Sequence, residues 1–227
     1  MDYYDSVNTT LLDLVDLSAR RICEFGCGAG ALARAIRKRI PSVHYAGVEL
    51  DESQLDRAKE VLDVSICCNL DHSKDWTQNI EMNSALPLGS YDHVIFGDVL
   101  EHLYDPQNAM NQAALRLTTG GSALVCIPNV QHWSVFAQLA LGSWPQEDAG
   151  LFDRTHIRWF ALSDMIQLLR RAGLIVESVQ ERIFPSDQGR SILEDLQHLA
   201  FNVGVDPDLL IQRGLPFQYV LVGRKGD

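Results

Sequence analysis

Arg20-Arg21-Ile22-Cys23-Glu24-Phe25-Gly26-Cys27-Gly28-Ala29-Gly30 is the stretch on which the reading of the whole chain turns. Its first half is a short apolar run of the kind that forms a buried strand. Its second half carries three alternating glycines. Glycine adopts backbone angles closed to other residues and lets a ligand approach the main chain. Residues 31–40 follow with helical spacing and stop at Pro41. Strand, glycine turn and helix in this order predict a nucleotide-type cradle at the end of a strand.

The same alternation continues outward. Tyr45-Ala46-Gly47-Val48 reads as a second strand ending at Glu49. That acid falls about 20 residues beyond the turn, where a carboxylate accepts both hydroxyls of a ribose. Residues 53–62 read as a helix with Ser53 as its N-cap, and residues 64–67 as a third strand followed by Asn69-Leu70-Asp71. Residues 91–96 form a fourth strand, 105–117 a helix, Gly120-Gly121 a turn and 123–127 a fifth strand. This pattern predicts an α/β fold with a mostly parallel sheet and helices on both faces.

The second half is less regular. Residues 128–160 show weak periodicity and many aromatics, Trp133, Phe136, Trp144, Phe152 and Trp159 among them, and read as a cap inserted over the sheet. Residues 163–172 are an amphipathic helix, and Leu174-Ile175-Val176 begins a sixth strand. Residues 191–201 place Ile192, Leu193, Leu196 and Leu199 on one helical stripe. Gln218-Tyr219-Val220-Leu221-Val222 closes the pattern as a strand, antiparallel and at or beside the edge. The expected organisation is one domain over residues 1–227, with an N-terminal lid segment at 1–18.

Bulk properties narrow the function. The 227 residues suit one α/β domain, and 46% are hydrophobic, enough for a sizeable core. Lys and Arg total 19 against 30 Asp and Glu, giving a net charge of -11. That field repels phosphate backbones and argues against nucleic acid as partner. The basic run at Arg34, Arg37, Lys38 and Arg39 reads as a solvated helix face. No run approaches the ~20 apolar residues of a membrane span. The five cysteines, Cys23, Cys27, Cys67, Cys68 and Cys126, are odd in number and lack zinc spacing. They read as reduced thiols of a cytoplasmic protein.

The glycine turn by itself leaves two ligands open. Gly26, Gly28 and Ala31 also satisfy the dinucleotide pattern, so a nicotinamide-dependent oxidoreductase competes. Three features favour S-adenosylmethionine. Glu24 precedes the first glycine, where a carboxylate faces a ligand ammonium. No phosphate-binding Lys or Arg lies in the turn. Asp71 follows the third strand, where an acid accepts from an adenine amino group.

With these residues in place, the chain resembles the class I S-adenosylmethionine-dependent methyltransferases over roughly residues 3–182. The segments that carry the resemblance are residues 24–30, Gly47-Val48-Glu49-Leu50-Asp51, residues 92–103 and Gly120-Gly121. Residues 98–106 are similar to ubiquinone-biosynthesis methyltransferases. Pro128-Asn129-Val130-Gln131-His132-Trp133 and residues 151–160 resemble a branch with methionine-biosynthesis-type and sugar or polysaccharide methyltransferases. The resemblance implies a Rossmann-like seven-stranded sheet with a reversed last strand. It also implies cofactor roles. Tyr3 or Tyr4 would close over the cofactor, and Gly26, Cys27 and Gly28 would line its methionine part. Glu49 would hold the ribose and Leu50 would pack on the adenine. Leu70 and Asp71 would lie beside that ring, and Gly97 and Asp98 beside the sulfonium.

Methyl transfer from a sulfonium is an in-line displacement with a neutral leaving group. Alignment and water exclusion are the protein's main tasks, and alignment is worth roughly 7–11 kcal/mol. A hydroxyl acceptor also needs a base or a Lewis acid. Asp98, Glu101 and His102 share one side of a helical turn after the fourth strand. His132, Asp153, Arg154 and His156 form a second cluster in the cap. Glu101, His102, His132 and His156 are the expected catalytic set. Asp98, Glu101, His102 and His156 also suit a divalent metal, although spacing alone commits no metal ligand. Trp133, Trp144, Phe152 and Trp159 supply either an acceptor wall or core. The expected reaction is methylation of a small-molecule or sugar acceptor, at oxygen in preference to nitrogen. A homodimer and a non-enzymatic partner protein of the same fold remain open on these residues.

Overall fold

The protein is described here by a computed structural model covering residues 7–72, 75–78 and 80–226. Seven strands, β1 (Arg21–Phe25), β2 (His44–Glu49), β3 (Val64–Cys67), β4 (Tyr91–Gly97), β5 (Leu117–Pro128), β6 (Leu174–Arg182) and β7 (Gln218–Lys225), form one sheet in the order β3-β2-β1-β4-β5-β7-β6. β1 to β5 pair in parallel, and β7 runs antiparallel to both β5 and β6. The reversed strand therefore sits one place in from the edge.

The helices are α1 (Thr9–Leu14), α2 (Ala31–Arg39), α3 (Glu52–Ala58), α4 (Ile80–Ala85), α5 (Pro106–Arg116), α6 (Trp133–Ala140), α7 (Leu162–Arg171), α8 (Asp187–Asp195), α9 (Gln197–Asn202) and α10 (Pro207–Gly214). None of the described helices is long and apolar enough to cross a membrane.

Central strands are apolar on both faces because both faces are covered. Alternate residues feed two cores. Phe25, Val94, Phe96, Val125 and Leu221 face α5 and α7. Ile22, Ile95, Leu124 and Val220 face α1 and α2. The period of two in side-chain direction enforces this division. Crossovers from β1 run toward β2 on one side, while β4 lies on the other. The carboxyl ends of β1 and β4 thus open a crevice at the point where strand order reverses.

Several boundaries differ from the sequence expectation. Asp51, not Ser53, caps α3, accepting from Ser53 N at 2.8 Å and Gln54 N at 3.3 Å. The helix then tightens into a 3-10 turn at Lys59–Val61. The stripe expected at 191–201 is two helices, because Ser186 caps α8 early and the chain breaks at Leu196. Strand β5 begins at Leu117, with its pairing to β4 shifted between Tyr91 and His93. A Cβ on Gly121 would lie 3.0 Å from Tyr91 O, so the glycine lets the bulged strand press against β4. Helices α1, α4, α6 and α10 were not expected. In α6 the sequence WSVFAQLA is apolar on most sides, which erases its periodicity.

Candidate active site

A cavity of about 1120 Å³ opens at the carboxyl edge of the sheet, over the crevice between β1 and β4. One half is made by strand tips. Gly26 N and Cys27 N donate to Val48 O at 2.7 and 3.1 Å, folding the glycine turn across β2. Gly26 has φ +74°, and a Cβ there would lie 2.3 Å from Val99 Cγ2. No other residue fits that bend. Glu49 braces the turn from the next strand. Its carboxylate accepts from Gly28 N at 2.8 Å, Leu50 N at 2.7 Å and Asp51 N at 3.0 Å. Leu50 is 64% exposed and lines the cavity, as Leu70 does.

Glu24 is buried beneath the turn and accepts from Tyr45 Oη at 2.8 Å. Burial pushes its carboxyl up to about 8, against the lowering effect of the tyrosine bond. Burial also raises the Cys27 thiol, with the charges of Glu24 and Glu49 adding to it. Asp71 lines the cavity with both oxygens engaged, accepting from Tyr104 N at 2.9 Å and Asp105 N at 3.1 Å. It thereby ties the strand-three tip to the loop after β4. Val7, Asn8 and Leu11 close one side of the cavity, Leu11 packing under Gly97. Tyr3 and Tyr4 lie outside the described residues.

The other half of the cavity is built from side chains of distant segments. Asp98 follows β4 with φ +56°, the one non-glycine residue with positive φ among those described. It accepts from Gln218 Nε2 at 2.6 Å, and Gln218 Oε1 accepts from Arg182 Nη1. Burial pushes the Asp98 carboxyl up to about 6, tempered by the Cys126 thiol and the Arg182 charge. Glu101 is 1% exposed, and neither of its carboxyl oxygens has a hydrogen-bond partner. Burial and the neighbouring Asp98 charge hold it well above the usual carboxylate range.

His156 Nε2 lies 3.8 Å from Glu101 Oε1. The His102 and His156 rings meet edge to face with centroids 4.7 Å apart. His102 Nδ1 lies 3.2 Å from Thr155 O and 3.0 Å from Thr155 Oγ1. Burial lowers both imidazoles, and for His156 the His102 charge adds to the effect. Glu101, His102 and His156 each offer a ligand atom within 4.8 Å of the others. A buried carboxylate without a partner, together with two imidazoles, fits a divalent cation. The backbone contacts that orient the rings are of the kind that fix metal-ligating histidines.

The cap is fastened to this cluster through the main chain. Ile157 N and Arg158 N both donate to Glu101 O at 3.0 Å. Arg158 Nη2 donates to Tyr104 O at 2.7 Å. At the other end Asn129, fully buried, donates from Nδ2 to Arg213 O and Pro216 O, each at 2.8 Å.

His132, expected among the catalytic residues, stands outside the cavity. It is the N-cap of α6, bonded through Nδ1 to Ser134 Oγ at 2.8 Å and packed on Trp133 and Phe217. Burial lowers its imidazole to about 4. The expected aromatic wall is also elsewhere. Trp133 packs on Gly189, Phe152 is core, and Trp144 and Trp159 line a small hollow behind His156. Tyr104 lines the cavity, and so do Phe184 and Phe217 together with Arg182 and Gln218. Sequence spacing gave no cue for the last four, because β6 and β7 bring them together only through their pairing.

Comparisons with known proteins identify the family and the fold. A family model described as a methyltransferase domain matches residues 4–179. An uncharacterized methyltransferase of Mycobacterium tuberculosis is 29% identical over 146 residues, covering 62% of this chain and 68% of that protein. A ubiquinone biosynthesis O-methyltransferase of Xanthomonas oryzae pv. oryzae is 26% identical over 211 residues, covering 87% of this chain and 83% of the relative. A crystal structure of an S-adenosylmethionine-dependent methyltransferase from Mesorhizobium loti shares the fold, with TM-score 0.62, 20% identity and 96% of each chain covered. The chain belongs to the class I S-adenosylmethionine-dependent methyltransferases.

Proposed function

We propose that the protein transfers the methyl group of S-adenosylmethionine to a hydroxyl oxygen of a small-molecule or sugar acceptor in the cytoplasm. The observation that carries this reading is the pairing of Glu101 with His156. A buried carboxyl without a hydrogen-bond partner faces an imidazole in the cavity that also holds the glycine turn. Residues 1–227 act as one unit in this reading, with 1–18 as lid and 128–160 as cap, and two copies form a dimer.

The cofactor lies along the strand tips. Its methionine part rests on Gly26, Cys27 and Gly28, with its ammonium toward Glu24. Glu49 receives the ribose, and the adenine lies between Leu50, Leu70 and Asp71. Gly97 and Asp98 flank the sulfonium. The acceptor enters from the cap side with its hydroxyl toward His156. The new C–O bond forms as the S–C bond breaks, and the sulfur leaves as a neutral thioether. The hydroxyl proton passes to His156 Nε2, which is free to take it because burial keeps this imidazole neutral at physiological pH. Asp98 and Glu101 fix the geometry around that transfer. Were Glu101, His102 and His156 to hold a divalent ion instead, His156 would be a ligand and not the base, and the ion would lower the pKa of the acceptor hydroxyl.

Calorimetry with S-adenosylmethionine, followed by mass-spectrometric detection of methyl transfer to a panel of hydroxyl compounds, tests this reading. Saturable cofactor binding with turnover that His156→Ala removes is the expected result. Absence of cofactor binding at millimolar concentration overturns the placement of the nucleoside. Transfer to amines alone overturns the oxygen acceptor.

A further inference from the structure

Two cationic side chains line the cavity, Arg154 and Arg182. Arg154 is engaged within the cap, paired with Asp148 and bonded from Nε to Glu147 O at 3.4 Å. Arg182 is different. Its hydrogen bond goes to the neutral Gln218 Oε1, and it forms no ion pair among the described residues. A guanidinium offers a planar fork of donors, most of which this single bond leaves free. Arg182 sits half-buried at the tip of β6.

The surroundings of that cation are apolar and flat. The guanidinium carbon lies 5.8 Å from the Phe184 ring centroid. Phe184 and Phe217 meet edge to face at 5.5 Å. Phe184 is 56% exposed, a large apolar surface at a cavity wall. On the far side, Gln218 joins Arg182 to Asp98, so one glutamine side chain separates the cation from the residue at the tip of β4. The amide direction is fixed. Arg182 can only donate, so Gln218 turns its oxygen to Arg182 and its nitrogen to Asp98. The bond to Asp98 holds Arg182 at the site without neutralising it by direct contact.

We propose that Arg182 selects the acceptor's charge: the substrate is a flat, ring-bearing compound with a carboxylate, its acid seated on the Arg182 fork and its ring against Phe184 and Phe217. This rests on the methyltransfer reading above and adds the acceptor class to it. An acidic protein with Glu49, Asp71, Asp148 and Asp153 around one cavity repels anions in general. A single guanidinium without an ion-pair partner among the described residues, beside the Phe184 ring, makes an exception at one place. Charge-assisted bidentate bonds at such a fork are roughly twice as strong as neutral ones.

The test uses the full chain saturated with S-adenosylhomocysteine, so that acceptor binding is read without turnover. The probes are benzoate, 4-hydroxybenzoate and 3,4-dihydroxybenzoate, each titrated against its carboxamide by calorimetry. The acids are expected to bind at least about tenfold more tightly than the amides, one charge-assisted contact converted to affinity. Arg182→Gln is expected to abolish that ratio while leaving S-adenosylhomocysteine affinity and melting temperature unchanged. Phe184→Ala is expected to weaken acid and amide alike. Equal affinities for acid and amide, no binding by any acid at millimolar concentration, or an unchanged ratio in Arg182→Gln each overturn the proposal. Loss of S-adenosylhomocysteine binding by the unmodified protein would instead overturn the cofactor reading beneath it.

Discussion

The two halves of the cavity are made in different ways. The strand-tip half is set by main-chain geometry. Gly26 has no room for a Cβ, and Glu49 is held by three backbone N–H groups. The cap-side half is set by side chains whose polar needs are incompletely met, with neither Glu101 carboxyl oxygen hydrogen-bonded and Arg182 bonded once. A preformed backbone cradle serves a ligand that is always the same. Unmet polarity, costly to keep in a buried place, marks where a changing partner completes the site.

The largest expected effect separates the halves most sharply. His156→Ala is expected to lower turnover by roughly 10²–10⁴-fold, the range for loss of a positioned base. Cofactor affinity by calorimetry should stay as it was, and a parallel fall would show that the halves are not independent. Asn129→Ala attacks the mounting of the cap. It strips buried Pro216 O and half-buried Arg213 O of their donor. Chemical denaturation is expected to show about 2–4 kcal/mol of lost stability.

Gly26→Ala goes to the strand-tip half. A residue with φ +74° and a Cβ at 2.3 Å from Val99 carries strain of about 1–3 kcal/mol. Cofactor affinity should fall roughly ten- to hundredfold, with the effect absent from a cap-side ligand.

The smallest effect is a fraction of a proton. Glu24 has its carboxyl pushed to about 8, so it is protonated in the free protein at neutral pH. A cofactor ammonium beside it favours the ionised form, and binding then releases the proton. Affinity therefore rises with pH up to about 8 and levels off above it. Calorimetry near neutral pH in two buffers of different ionisation enthalpy reads the release directly. Equal apparent enthalpies would place the ammonium elsewhere.

The asymmetry between the halves also explains what the sequence disclosed. Glu24, Gly26, Gly28 and Glu49 lie within one strand-turn-helix-strand unit, so their spacing is a direct image of their geometry. Asp98, Glu101 and His102 were legible for the same reason. His132 was not, because an N-cap histidine and a catalytic one look alike until the ring's partner is seen. Phe184, Phe217, Arg182 and Gln218 are joined across a hairpin ladder whose strands are separated by three helices. Their local sequences match ordinary strand ends. Only the register Arg182↔Gln218 brings the pair together.

That ladder has a consequence for how the molecule is born. β6 touches the sheet through β7 alone, and β7 slots between it and β5. On the ribosome, residues 174–182 emerge with no strand to join, and remain so until residues 218–225 have been translated. The strand-tip cradle can condense early in synthesis, while the wall of Arg182, Phe184, Phe217 and Gln218 takes shape only after residues 218–225 have been made.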